Sequence, residues 1–204
     1  MSATLFNSLI EPQRLFKKSL GMGLVCVVVS SLFLSGCSED QAVYQPAVAK
    51  LLEKASSLKK ASQNDEALCR LKAAEDIMPG SFQVQYDLGV LYSEENHYLP
   101  AIEHLEKATS LSPSDANTLY SLGFTYEALG DAYQHAAKVS PQELQKPEFA
   151  FAKGASPGEM ASKQKEAYQK AIETYQKFLK VASKDDTGRK DVQGQLQLLQ
   201  AQNP

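Results

Sequence analysis

Residues 82–115 read FQVQYDLGVLYSEENHYLPAIEHLEKATSLSPSD, and key positions of this stretch recur to either side at one constant offset, that between Pro79 and Pro113. Ala67 and Ala101 keep the same offset, as do Leu71 and Leu105, and Ala74 and Ala108. In the other half of the unit Tyr86 pairs with Tyr120, Leu88 with Leu122, Gly89 with Gly123, and Tyr92 with Tyr126. A fixed period of this length marks a supersecondary unit that cannot bury its apolar face alone and stacks on copies of itself. The period predicts an all-α solenoid of helical hairpins, an architecture that presents surfaces for other proteins more often than it performs chemistry.

Aligned on the period, residues 48–81 and 82–115 are full units, and residues 116–130 open a third. The spacing resembles tetratricopeptide repeats, whose period is about 34 residues. That family carries a small residue at the eighth position, alanine at the twentieth and twenty-seventh, and proline at the thirty-second. Those slots hold Ala55, Gly89 and Gly123; Ala67 and Ala101; Ala74 and Ala108; and Pro79 and Pro113. Small residues let the two helices of a hairpin approach closely, and the prolines end the second helix. Ser81 and Asp115 stand where N-caps belong. Pro100 falls in the first turn of a helix, where a missing N–H costs nothing. Two departures stand out: Gln85 replaces a large apolar residue, and Lys54 sits at the seventh position of the first unit.

The third unit is interrupted. The second-helix pattern of Ala101, Leu105, Ala108 and Leu111 returns only at Ala171, Tyr175, Phe178 and Val181, so the insertion is slightly longer than one further period. Ser140-Pro141-Gln142-Glu143 and Ser156-Pro157-Gly158-Glu159 share one form, an N-cap serine, a proline at the first helical position and a glutamate at the third. We expect an extended third hairpin over 116–183, with the insertion at about 131–165. Its first helix runs through Gly130 to about Val139, at a loss of about 1 kcal/mol against alanine. Its second begins near Pro157, and Leu144, Phe149 and Phe151 lie at the tip as candidate partner contacts, with Phe149 and Phe151 expected rather to fold down onto their own helices. Val192, Leu196 and Leu199 form an i, i+4, i+7 stripe, which predicts a polar-faced capping helix within 184–204.

The N-terminus is read separately. Arg14, Lys17 and Lys18 precede the uncharged, mostly apolar run Leu20–Leu34, the layout of a signal peptide over residues 1–36. Leu34-Ser35-Gly36-Cys37 resembles the bacterial lipobox, which implies processing before Cys37, lipidation of its thiol and a palmitate-bearing anchor. Several acyl chains at about 0.8 kcal/mol per buried methylene hold far more firmly than one myristoyl group. The alternative is a spanning helix over Ser19–Ser38, long enough to cross a bilayer. Either way the remainder lies outside the cytoplasm. Ser38 stands where an aspartate would resemble an inner-membrane retention signal, so the expectation is an outer-membrane anchor facing the periplasm. Residues 37–47 then act as a lipidated tether, keeping the first helix within about 35 Å of the lipid.

Export fits the cysteines: Cys26 leaves with the signal and Cys37 is blocked, which leaves Cys69 without an internal partner. Cys69 lies in an apolar helical stretch and is expected to be a buried structural thiol. The segment 1–36 holds three of the 21 basic residues and one of the 24 acidic ones, so the mature chain carries about −5. Nucleic acid, whose binding needs a basic face, is not an expected partner.

No P-loop, H-E-x-x-H, G-x-S-x-G or paired C-x-x-C occurs, so no catalytic residue, cofactor or metal is expected. Glu94 and His97 have the i, i+3 spacing of some metal sites but fall in an interhelical turn. The family lines its groove with the second, fifth, ninth and twelfth positions of each first helix. The resemblance therefore implies a groove of Ala49, Leu52, Ser56 and Lys59; Gln83, Tyr86, Val90 and Ser93; and Asn117, Tyr120, Phe124 and Glu127. Its central strip, Tyr86, Val90, Tyr120 and Phe124, suits an amphipathic or extended partner segment, unless it packs against the protein's own hairpin. Leu52 and Ser56 occupy the positions where lysine and asparagine would make a carboxylate clamp, so none is expected. The leading reading is a membrane-anchored adaptor or assembly factor with a protein or peptide partner in the cell envelope. An envelope enzyme using Asp131, His135, Glu143, Glu148 and Glu159 of the insertion is the alternative, and self-association is a third. The sequence leaves the oligomeric state open.

Overall fold

The computed structural model describes the backbone of residues 36–202 and the side chains of residues 43–202. The signal segment and the lipidated side chain expected at Cys37 lie outside these described parts. Residues 43–204 form one compact unit. Its helices are α1 (Gly36–Lys60), α2 (Asn64–Ile77), α3 (Phe82–Glu94), α4 (Tyr98–Leu111), α5 (Ala116–Ala136), α6 (Pro157–Val181) and α7 (Gly188–Gln202). Among the described residues none of these is long and apolar enough to cross a membrane. The segment 37–47, read from the sequence as a tether, has helical backbone in α1, which continues through Pro46.

The first two hairpins, α1–α2 and α3–α4, follow the period closely. Each turn contains a residue in the left-handed region, Ser62 at φ 58° and Asn96 at φ 60°, and these stand one repeat period apart. Ala55, Ala67 and Ala74 are buried with Leu58, Leu71, Leu88 and Leu91 in one apolar cluster. At about 25 cal/mol per Å² such burial is the main force joining successive hairpins. Asp115 caps α5, its carboxylate accepting from the Thr118 N–H at 2.7 Å. Ser81 occupies the N-cap of α3 without a side-chain capping bond.

The third hairpin obeys a second rhythm. Gly130 stands one period beyond Asn96, yet it continues the helix where Ser62 and Asn96 turn. A Cβ at Gly130 would lie 2.3 Å from Tyr168 Cε1, and one at Gly123 would lie 2.6 Å from Tyr175 Cδ1. The two glycines are seven residues apart on α5, and the two tyrosines seven apart on α6. The Cδ1–Cε1 side of each ring therefore occupies the space a side chain on the opposing glycine would need. Each phenol then donates to an α5 carboxylate, Tyr168 to Asp131 at 2.6 Å and Tyr175 to Glu127 at 2.7 Å. A seven-residue repeat is the seam of long antiparallel helices, which explains how this hairpin reaches past the length of a standard unit.

The two serine-led motifs of the insertion diverge. Ser156 and Glu159 form a complete capping box, and α6 follows for 25 residues. Ser140 and Glu143 make the same reciprocal bonds, at 3.1 Å and 3.3 Å, but only the 3-10 turn Glu143–Gln145 results. Lys146 stands before Pro147 and is extended at ψ 150°, because a residue preceding proline is excluded from the helical region. A second 3-10 turn, Pro147–Ala152, returns the chain to the hairpin. At the far end Arg189 donates from Nη1 to the Leu179 and Ala182 carbonyls, both at 2.8 Å, satisfying the open end of α6. α7 then buries Val192 and Leu199, half-buries Leu196, and leaves Gln193, Gln195, Gln197 and Gln200 exposed.

Candidate functional site

The groove positions divide into three environments. Tyr120 and Phe124, four residues apart on α5, are 38% and 52% exposed, unusually open for large aromatic side chains. Tyr120 rests on Phe178 with ring centroids 5.9 Å apart, and Phe124 projects beside it into solvent. Tyr86 and Val90 are half-buried against the core of the third hairpin, Tyr86 also stacking on Phe82 at 6.1 Å. These two form the floor between α3 and α5. Gln83 and Asn117 are exposed, whereas Glu127 is half-buried and receives the Tyr175 hydroxyl. Burial raises the Glu127 carboxyl above its usual range, partly offset by that hydrogen bond.

Between α1 and α3 the groove deepens into a cleft of about 390 Å³, floored by α2. Leu52, Ala55, Leu71 and Leu91 give it apolar walls, and Ser56, Lys59, Gln83 and Asp87 supply its polar groups. Asp87 was not among the groove residues expected from the family's positions, although Gln83 and Asp87 have the i, i+4 spacing that brings side chains together on a helix. Gln83 Nε2 donates to Asp87 Oδ1 at 2.9 Å. Burial raises the Asp87 carboxyl, opposed by the Gln83 bond and by the positive field of Lys59. Lys59 itself pairs with Glu94 at 2.7 Å, and Asp87 has no ion pair among the described residues.

The hairpin tip decides between the two readings of its aromatic residues in favour of folding down. Phe149 is buried and Phe151 and Leu144 are half-buried, so they serve the core and do not protrude toward a partner. Phe151 meets Tyr133 and Tyr98 edge-to-face, at 5.1 Å and 6.1 Å, and Phe149 lies 5.7 Å from the His135 ring. The cause is the length of α5 and α6: their ends would expose the apolar seam unless the loop folded onto it. Pro147 ends the first 3-10 turn and aims the Phe149–Phe151 segment inward.

The polar groups of the insertion do not converge. Asp131 holds Tyr168, Glu143 and Glu159 cap, Glu148 is exposed beside Lys146 at 4.0 Å, and His135 packs on Phe149. Among the described residues no three His, Cys, Asp or Glu side chains gather in a way that could hold a metal. Cys69 is exposed, contrary to the expectation of a buried thiol. It stands between Leu68 and Arg70 on α2, and the helix turns Ala67 and Leu71 inward, so Cys69 faces out beside Arg70.

Gln85 explains its own departure from the family pattern. It is 1% exposed and fully bonded: Nε2 donates to Glu75 Oε1 at 3.0 Å and to the Pro79 carbonyl at 2.8 Å. Its Oε1 therefore faces His104 Nδ1 at 2.8 Å, which makes that nitrogen the donor. Tyr92 stacks on the imidazole at 5.4 Å. The network ties the end of α2 to both helices of the second hairpin with every buried polar atom of Gln85 satisfied. Burial pushes the His104 imidazole below its usual range, against the opposing influence of Glu75.

Comparison with protein families agrees with this architecture. A family model described as TPR repeat matches residues 94–130, from the end of α3 through Gly130 of α5. Comparison with curated proteins gives no match. Solved chains do match, and one is a "putative protein binding protein" from Bacteroides ovatus ATCC 8483. It is 16% identical over 77% of this chain and 99% of that one, with a TM-score of 0.22, a superposition too loose to say what this chain binds. The repeat supports a role in protein interaction. With its regular period, its stacked helix pairs and the family match over residues 94–130, the chain contains a tetratricopeptide repeat and has an all-α helical-hairpin solenoid fold.

Proposed function

We propose that the protein is an exported adaptor or assembly factor, anchored through lipid on Cys37, facing the periplasm from the outer membrane and receiving a partner segment in the α1–α3–α5 groove. The observation that carries the groove is the exposed pair Tyr120 and Phe124, set on the same side of the repeat as the open cleft beside α3. Aromatic anchors in a groove dominate interface energies, and an enzymatic role is not part of this reading. The lipobox-like Leu34-Ser35-Gly36-Cys37 after an apolar run supports the anchor.

Two experiments test the two halves. Photo-crosslinking from the exposed groove position 117 in intact cells should capture a defined envelope protein, and adding Tyr120→Ala with Phe124→Ala should abolish capture while leaving Tm within a few degrees. Continued capture by that double variant would remove the groove from the proposal. Cys37→Ser should accumulate as unprocessed precursor without label from radioactive palmitate; normal processing and labelling would end the lipoprotein reading.

A further inference from the structure

We propose that the cleft between α1 and α3 is a receptor for one basic side chain, lysine or arginine, of the segment bound in the groove, with Asp87 as the specificity-determining carboxylate. This rests on the groove reading above and specifies its ligand. The apolar walls Leu52, Ala55, Leu71 and Leu91 match the methylene stem of such a side chain, which packs on apolar surface while its charged head stays polar. The head then meets Asp87. Gln83 engages Oδ1 of that carboxylate through one N–H, which leaves Oδ2 without a hydrogen-bond partner among the described residues.

Charge decides between a cation and an anion. Asp87 and Glu53 line the cleft, opposed by Lys59 alone. Lys59 is paired at 2.7 Å with Glu94, so it lends Asp87 a favourable field but no direct ion pair. A half-desolvated carboxylate without a direct ion pair can take another partner: an arriving ammonium or guanidinium replaces the solvation that burial removed, through charge-assisted bonds roughly twice as strong as neutral ones. An arriving carboxylate meets two like charges. The cleft is therefore opposite in sign to a carboxylate clamp, in keeping with Leu52 and Ser56 at the positions a clamp would need.

The test is selection of peptides of about twelve residues, long enough to span the groove when extended, from a random displayed library against the full chain. The same selection is run on Asp87→Asn, on Asp87→Lys and on Tyr120→Ala with Phe124→Ala. Asparagine keeps the Gln83 bond and removes only the charge. Peptides selected on the wild type should be enriched in lysine or arginine and bind Asp87→Asn at least about tenfold more weakly, and Asp87→Lys should select acidic residues instead. Peptides that need Tyr120 and Phe124 but show no basic enrichment, or that bind Asp87→Asn equally, overturn the Asp87 assignment and leave the groove standing. A library yielding no peptide that depends on the aromatic pair overturns both. Melting curves for each variant separate lost recognition from lost fold.

Discussion

The second and third hairpins carry the same period and use it differently. Asn96 and Gly130 are equivalent by sequence, but Asn96 adopts the left-handed turn while Gly130, the residue best suited to that turn, stays helical beneath Tyr168. In the first two units the eighth-position small residues serve helices of ordinary length. In the third, the seven-residue spacing of Gly123 with Gly130 and Tyr168 with Tyr175 adds a further packing layer about two turns on and carries both helices onward. A glycine's role is set by what lies across from it. Conformational freedom alone would have ended the helix; the opposing ring keeps it going.

The largest effect expected from breaking this contrast comes from Tyr175→Ala. The ring is 1% exposed at the centre of the third hairpin, so its loss should cost about 3–5 kcal/mol in chemical denaturation. Next is Gly130→Ser, which forces a side chain into the Tyr168 ring and should cost about 1–3 kcal/mol. Combining it with Tyr168→Ala should recover part of that loss, a coupling that a double-mutant cycle would measure. Additive effects would mean that the ring does not rest on Gly130.

A pH titration separates the second hairpin from the third. The His104 pKa is lowered by burial, so the folded state holds the neutral imidazole and the unfolded chain binds the proton more readily. The resulting stability is fully present above the unfolded value of about 6.5 and is lost as pH falls through the folded value. Glu103, Glu75, Lys107 and Lys72 surround the ring and modulate the loss. Lowering pH from about 7.5 to about 5.5 should reduce the Tm of the wild type more than that of His104→Gln, across the His titration range. Equal slopes would show that His104 does not link this hairpin to pH. The smallest effect is the reciprocal swap Ser62→Gly, which relieves a left-handed non-glycine residue and should stabilise by about 0.5 kcal/mol after the entropy cost of glycine. The same residue type is thus expected to help at position 62 and to be indispensable at 130 for a different reason.

The sequence carried the repeat register, the small residues between helices, the N-cap at Asp115 and the capping box at Ser156, because each is a local or short-period signal. It was misleading where packing overrides local pattern. Ser140-Pro141-Gln142-Glu143 makes its capping bonds and still fails to propagate a helix, since Pro147 intervenes. Phe149 and Phe151 could by sequence either protrude or fold down, and packing makes them core, while Cys69 looked buried and faces solvent. Asp87 lies outside the family's groove positions, and no pattern on α3 reveals how far α1 stands from it.

By itself the sequence determined that the chain folds as stacked helical hairpins, since a period of about 34 residues with alanine, glycine and proline at fixed slots has few other physical readings. Only the tertiary structure decided which aromatic residues remain free. Tyr86, Val90, Tyr120 and Phe124 share one side of the repeat, yet neighbouring helices cover the first two and leave the last two open. The same holds for Asp87: a carboxylate becomes a recognition group only once two helices and an apolar floor have removed part of its water, and that arrangement belongs to the packing of distant segments.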